Sequence, residues 1–218
     1  MVALGIFGTL VDYFNKGGIV MWPLLLCSIV GLIFLIERAI YFHRIPLDPG
    51  MIFGKIRQLM LARDLEGAIR VTDDAKGPMP DILKAGLLRF GKPHEEILRA
   101  IESVSLHEVA KLERGLWILA TIANVAPLLG FLGTVTGMID SFGVLSTAGF
   151  GNPKLVARGI AEALITTAAG LMIAFPVQLG YNYFTTKVSS FVLTAETTSA
   201  MLLETISELE EENHKGKS

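Results

Sequence analysis

Leu116–Ile139 reads LWILATIANVAPLLGFLGTVTGMI and holds no charged residue. A membrane-spanning helix needs roughly 20 consecutive, mostly apolar residues, and this run meets that length. Two others do so: Gly17–Ile36 (GGIVMWPLLLCSIVGLIFLI) and Ala163–Thr186 (ALITTAAGLMIAFPVQLGYNYFTT). With their flanks they set three expected spans, at 17–42, 116–142 and 161–186. The first is too long for a signal-peptide core, and ERAIYFHR follows it instead of a small-residue cleavage site, so it reads as a retained helix.

Composition agrees. The chain has 218 residues, 51% hydrophobic and 18% charged, against about 45–50% and about 25% in a soluble domain. The apolar excess is gathered into the three runs. A net charge of -2 gives no basic footprint, so no nucleic-acid partner is expected. The single cysteine, Cys27, excludes a disulfide framework. The four histidines make no HExxH pair, so a zinc hydrolase is not expected; neither a metal nor a cofactor is expected.

Lys and Arg set the expected orientation. The stretch before the first span holds only Lys16, and the connection at 143–160 holds only Lys154 and Arg158. The connection from Arg38 to Arg114 holds thirteen. The positive-inside rule then places the N-terminus outside, with the 43–115 loop and the 187–218 tail in the cytoplasm.

The remainder reads as helix. Residues 1–16 carry Leu4, Phe7, Leu10, Val11 and Phe14 at helical spacing, either as a short periplasmic amphipathic helix or as a frayed terminus. In the loop, Asp48-Pro49 is expected to start one helix, Asp64 to cap a second, and Pro80 to open a third that Gly91-Lys92-Pro93 ends. No breaker is read between Pro93 and Pro127. One helix of about 70 Å is therefore expected from Pro93 to Ser141, at 1.5 Å per residue. The third span is expected to start at Asn152-Pro153 and to continue to the acidic stretch Glu208–Glu212.

The second and third spans carry small residues at regular spacing, among them Gly130, Gly133, Gly137, Gly170 and Ala174. Such residues let membrane helices approach closely, within one chain or between chains. Thr134, Thr166 and Thr167 are polar exceptions in these spans. They line a water or proton path, or they bond back to their own helix. Glu162 lies more than two turns inside a helix that starts at Pro153. An acid at that depth is a functional residue unless it sits at headgroup level. It is five residues, roughly 140°, from Thr167 on an ideal helix, and Thr166 is nearer its face. Glu37-Arg38 reads as a headgroup anchor and possible ion pair at the inner end of the first span. No ionisable group occupies the middle of any span, so a moving proton needs a titrating group from another chain.

APLLGFLGTVTGMIDSF (Ala126–Phe142) and IAEALITTAAGLMIAFPVQLGYNYF (Ile160–Phe184) resemble the signature helices of the MotA/TolQ/ExbB proton channel family, in its TolQ/ExbB branch. The resemblance implies an all-α integral membrane protein of the bacterial inner membrane. It implies a ring, typically a pentamer, whose second and third spans line a pore. Within that pore stand the single helices of two copies of an ExbD- or TolR-like partner, each bringing a membrane Asp. Proton flow would then energise a TonB- or TolA-like protein acting at the outer membrane, for import or envelope integrity. Residue by residue, the family's acid falls on Glu162, its pore threonines on Thr134 and Thr167, and its prolines on Pro127 and Pro176.

The expected protein is thus an oligomeric proton-channel subunit among membrane lipids, not an enzyme. Two other readings stay open. A flagellar-type stator is disfavoured because that branch has a fourth span. A non-conducting scaffold is disfavoured by Glu162 and the threonines.

Overall fold

A computed structural model describes residues 11–45, 50–148 and 153–215. The described elements are all helices: α1 (Met21–Arg44), α2 (Gly50–Leu61), α3 (Leu65–Asp74), α4 (Pro78–Leu87), α5 (His94–Glu113), α6 (Leu116–Ala148) and α7 (Pro153–Lys215). Helical turns at 11–16 precede α1, and the rest of the expected N-terminal amphipathic segment lies outside the described residues. So do Asp48, Pro49 and Asn152.

The chain divides into two compact units. One comprises residues up to Arg38 and Gly115–Tyr183. It contains the apolar stretches of α1, α6 and α7, three helices long and apolar enough to cross a membrane. Leu26, Leu32 and Ile33 of α1 are exposed, whereas Leu24 is fully buried with Val20, Ala126 and Ala174. Pro127 and Pro176 both lie inside continuous helix. Membrane helices tolerate proline where neighbouring groups satisfy the freed carbonyl.

The second unit comprises Ala39–Arg114 and the chain from Phe184 onward. Its core is built from Ile56, Met60, Ile82, Leu83, Leu87, Ile97 and Ile101, with Phe191, Leu202 and Ile206 of α7. Asp64 caps α3 as its position predicts, accepting a hydrogen bond from the Gly67 amide at 2.8 Å. α4 opens at Pro78, two residues before the expected Pro80, because Gly77 supplies the turn at φ 130 and Pro78 takes the first helical position. The Lys111 ammonium donates to the Glu108 carboxylate at 2.5 Å, and that hydrogen bond raises the lysine's pKa.

One expectation fails. The predicted single helix from Pro93 to Ser141 is two helices, α5 and α6, interrupted at Arg114-Gly115. Arg114 adopts ψ 126 and Gly115 a left-handed φ of 80. L-residues with a side chain reach that region only at a steric cost, so glycine is the residue for the break. The site has little spare room: a Cβ on Gly115 would stand 3.2 Å from Phe34 Cδ1.

Gly54 is the opposite case. It sits mid-helix in α2 with nothing within 4 Å of a would-be Cβ. Gly54→Ala should stabilise the protein by about 0.5–1 kcal/mol, since glycine loses more chain entropy in a helix. A higher thermal midpoint in detergent, with unchanged activity, is the expected measurement.

Candidate functional site

The seam between α6 and α7 is made largely of backbone. A Cβ on Gly130 would stand 3.0 Å from the Thr166 carbonyl oxygen and 3.1 Å from Thr167 Cα. One on Gly137 would meet the Gly159 carbonyl at 2.7 Å and the Ala163 nitrogen at 3.1 Å. One on Gly170 would meet the Ala126 carbonyl at 2.5 Å and Gly130 Cα at 3.1 Å. Thus Gly130, Gly137 and Gly170 are occupied by a contact within one chain. Gly133 faces Thr166, whose Cβ is 2.5 Å from where a Gly133 Cβ would stand. Ala174 is buried in the adjoining apolar cluster with Leu24 and Ala126.

Sequence reading missed Gly159. It packs on Gly137 and against Ser141, whose hydroxyl donates to the Gly137 carbonyl at 2.9 Å and the Val156 carbonyl at 3.2 Å. The available signal was spacing: Gly159, Ala163 and Thr166 follow one another at helical intervals.

The three threonines divide. Thr166, grouped by sequence with the lining hydroxyls, is 0% exposed. Its Oγ1 donates to the carbonyls of Glu162 (3.1 Å) and Ala163 (2.9 Å) of its own helix. Thr134 and Thr167 meet across the seam, hydroxyl to hydroxyl. Thr167 reaches the Gly130 carbonyl at 3.1 Å and the Ala163 carbonyl at 3.1 Å, and Thr134 reaches the Gly130 carbonyl at 3.3 Å. Both are half-buried. The pair is therefore a polar point on the α6–α7 surface whose hydroxyls can exchange acceptors, since each offers one donor and two lone pairs.

Glu162 is not part of that point. Its carboxylate points to the lead-in to α1 and lies over Gly18. Among the described residues no ion pair holds it. The roughly 140° between Glu162 and Thr167 is thus realised as two faces of α7, one toward α1 and one toward α6.

Arg38, expected as a headgroup anchor and possible ion pair, is sheltered by protein. It is 5% exposed. Its Nε and Nη2 donate to both Glu37 carboxylate oxygens, at 2.8 and 2.6 Å. A would-be Gly115 Cβ lies 3.9 Å from Nε. The ion pair is present, but the guanidinium is sheltered. That geometry satisfies a buried cation.

No group of three or more His, Cys, Asp or Glu able to hold a metal occurs among the described residues.

Residues 74–197 match the MotA/TolQ/ExbB proton channel family. The chain is 38% identical over 169 residues to a biopolymer transport protein, ExbB-like 1, of Synechocystis, covering 76% of this chain and 66% of that relative. Just under two thirds of that relative's length is therefore spanned. It is 33% identical to ExbB-like 3 of the same organism, covering 77% of this chain and 81% of the relative. A shorter stretch, 43% of this chain and 41% of the relative, is 41% identical to the Tol-Pal system protein TolQ of Haemophilus influenzae.

Proposed function

From the premise that the chain belongs to the MotA/TolQ/ExbB proton channel family, we propose that it is the multi-span subunit of an inner-membrane motor driven by the proton motive force. The family is one of membrane proton channels, not of enzymes. In this reading five copies form a ring with the N-terminus periplasmic and the C-terminus cytoplasmic. The ring encloses two single-span ExbD- or TolR-like helices and energises a TonB- or TolA-like protein. One proton moving down 100 mV releases about 2.3 kcal/mol, enough to bias a conformational step.

The observation that carries the reading is the Thr134–Thr167 hydroxyl pair, set in helices without a mid-span charge. Such a pair can hand a hydrogen bond to water or to a partner's carboxyl, while the partner supplies the group that titrates. Glu162 gives a second polar point on α7, and Gly130, Gly133, Gly137, Gly170 and Ala174, with Pro127 and Pro176, shape the helices around the path. Thr166 belongs to the same seam and supports it by packing against Gly133.

A non-conducting scaffold is the second reading. One observation favours it: the hydroxyls of Thr134, Thr166 and Thr167 all have backbone acceptors already.

Coexpression with a single-span subunit bearing a membrane Asp, followed by reconstitution into vesicles holding a membrane potential, separates the two. Proton uptake is read from a luminal pH dye. Thr134→Val with Thr167→Val should lower the flux about tenfold, near the 1–2 kcal/mol of an intramembrane hydrogen bond. Unchanged flux in the double variant would exclude conduction past these hydroxyls, and no flux in the wild-type complex would leave the scaffold.

A further inference from the structure

Gly18 lies just ahead of α1 in a left-handed conformation, φ 69. The space where its side chain would stand is filled by the acid of α7. A Cβ there would overlap Glu162 Oε1 and stand 2.7 Å from Glu162 Cδ and 3.4 Å from Cγ. The same face of α7 also reaches residue 17: a Cβ on Gly17 would lie 3.4 Å from Ile165 Cγ2, beyond Met21 Cγ at 2.5 Å. Ile165 is three residues after Glu162, so both project toward the lead-in to α1. Ala163, Thr166 and Gly170 instead project toward α6. The carboxylate therefore rests on bare backbone. Two properties of Gly18 make that rest possible: it has no Cβ, and it is at ease at positive φ.

We propose that Gly18 is a positioning residue for Glu162. Its side-chain-free, left-handed backbone is the seat that holds the carboxylate on the α1 side of α7, and filling the seat displaces the acid. This rests on the reading of Glu162 as part of the proton path.

The test uses the full complex in vesicles, with proton flux read by dye and assembly by native mass spectrometry. Gly18→Ala should cut flux at least about tenfold, the scale on which small misplacements of a reacting group act. Gly18→Asn separates overlap from backbone strain, because Asn tolerates the left-handed region yet still carries a Cβ. It should be impaired as strongly as Gly18→Ala. Glu162→Asp, one methylene shorter, should restore much of the flux in the Gly18→Ala background, measured against Glu162→Asp alone. Where Gly18→Ala lowers assembly, Glu162→Ala in the same chain should restore it, since the overlapping group is gone. Wild-type flux in Gly18→Ala overturns the seat. So does recovery in Gly18→Asn, or a loss that neither Glu162 variant relieves. The underlying reading fails separately, and visibly, if Glu162→Ala alone conducts like wild type.

Discussion

Glu162→Ala should leave an assembled complex that no longer moves protons. The side chain sits inside a helix that begins at Pro153, in the unit that holds the three apolar stretches. No ion pair accounts for its presence there among the described residues. Unpaired acids at such positions are costly, and where they persist they serve ion or proton movement. Removing a group that relays protons typically costs about a hundredfold or more. Dye-reported flux should fall by that order, while native mass spectrometry still finds the complex. Glu162→Gln refines the result. The amide keeps size and hydrogen bonding but cannot carry a proton, so it should be as defective as alanine. Normal flux in Glu162→Gln would reduce Glu162 to a structural acceptor.

Gly170→Leu should prevent the protein from accumulating. Its first side-chain carbon would stand 2.5 Å from the Ala126 carbonyl and 3.1 Å from Gly130 Cα. Both neighbours are backbone, so no rotamer change relieves the overlap. Overpacking a core typically costs about 1–3 kcal/mol, and more where the backbone has to move. Gly143→Leu is the matched control, since Gly143 lies on the same helix pair with nothing within 4 Å of a would-be Cβ. It should accumulate normally. Equal yields and thermal midpoints for the two variants would mean that α6 and α7 do not meet through these glycines.

The three long apolar helices were legible because charge is absent over whole spans, a signal that does not depend on tertiary context. Asp64 was legible because capping is local. The break at Arg114-Gly115 had a local signal too: a basic residue in the last turn followed by glycine marks a helix C-terminus. An uninterrupted apolar pattern outweighed it. The direction of Glu162 was half legible. Helical spacing sets it apart from Thr167, yet nothing near position 162 says that its face meets residue 18. That meeting, and the left-handed backbone of Gly18, depend on α1 folding back on α7. For Thr166, the tendency of a helical Thr to bond its own backbone was the stronger guide, because Gly133 leaves room for that side chain and little else.

The glycine seam restricts where movement can occur. Packed side chains offer alternative rotamers, and a helix pair joined by them can click between two arrangements. Carbonyl against glycine offers no such choice: with the Ala126 carbonyl over Gly170 and the Gly159 carbonyl against Gly137, even a small slide replaces contact with collision. Close-packed interfaces of this kind switch discretely or not at all. The α6–α7 pair should therefore move as one rigid unit, a single stave in the proposed ring. If the proposed ring is driven by protons, its stroke is expected between such units or against an enclosed partner helix, and not by bending the pair itself.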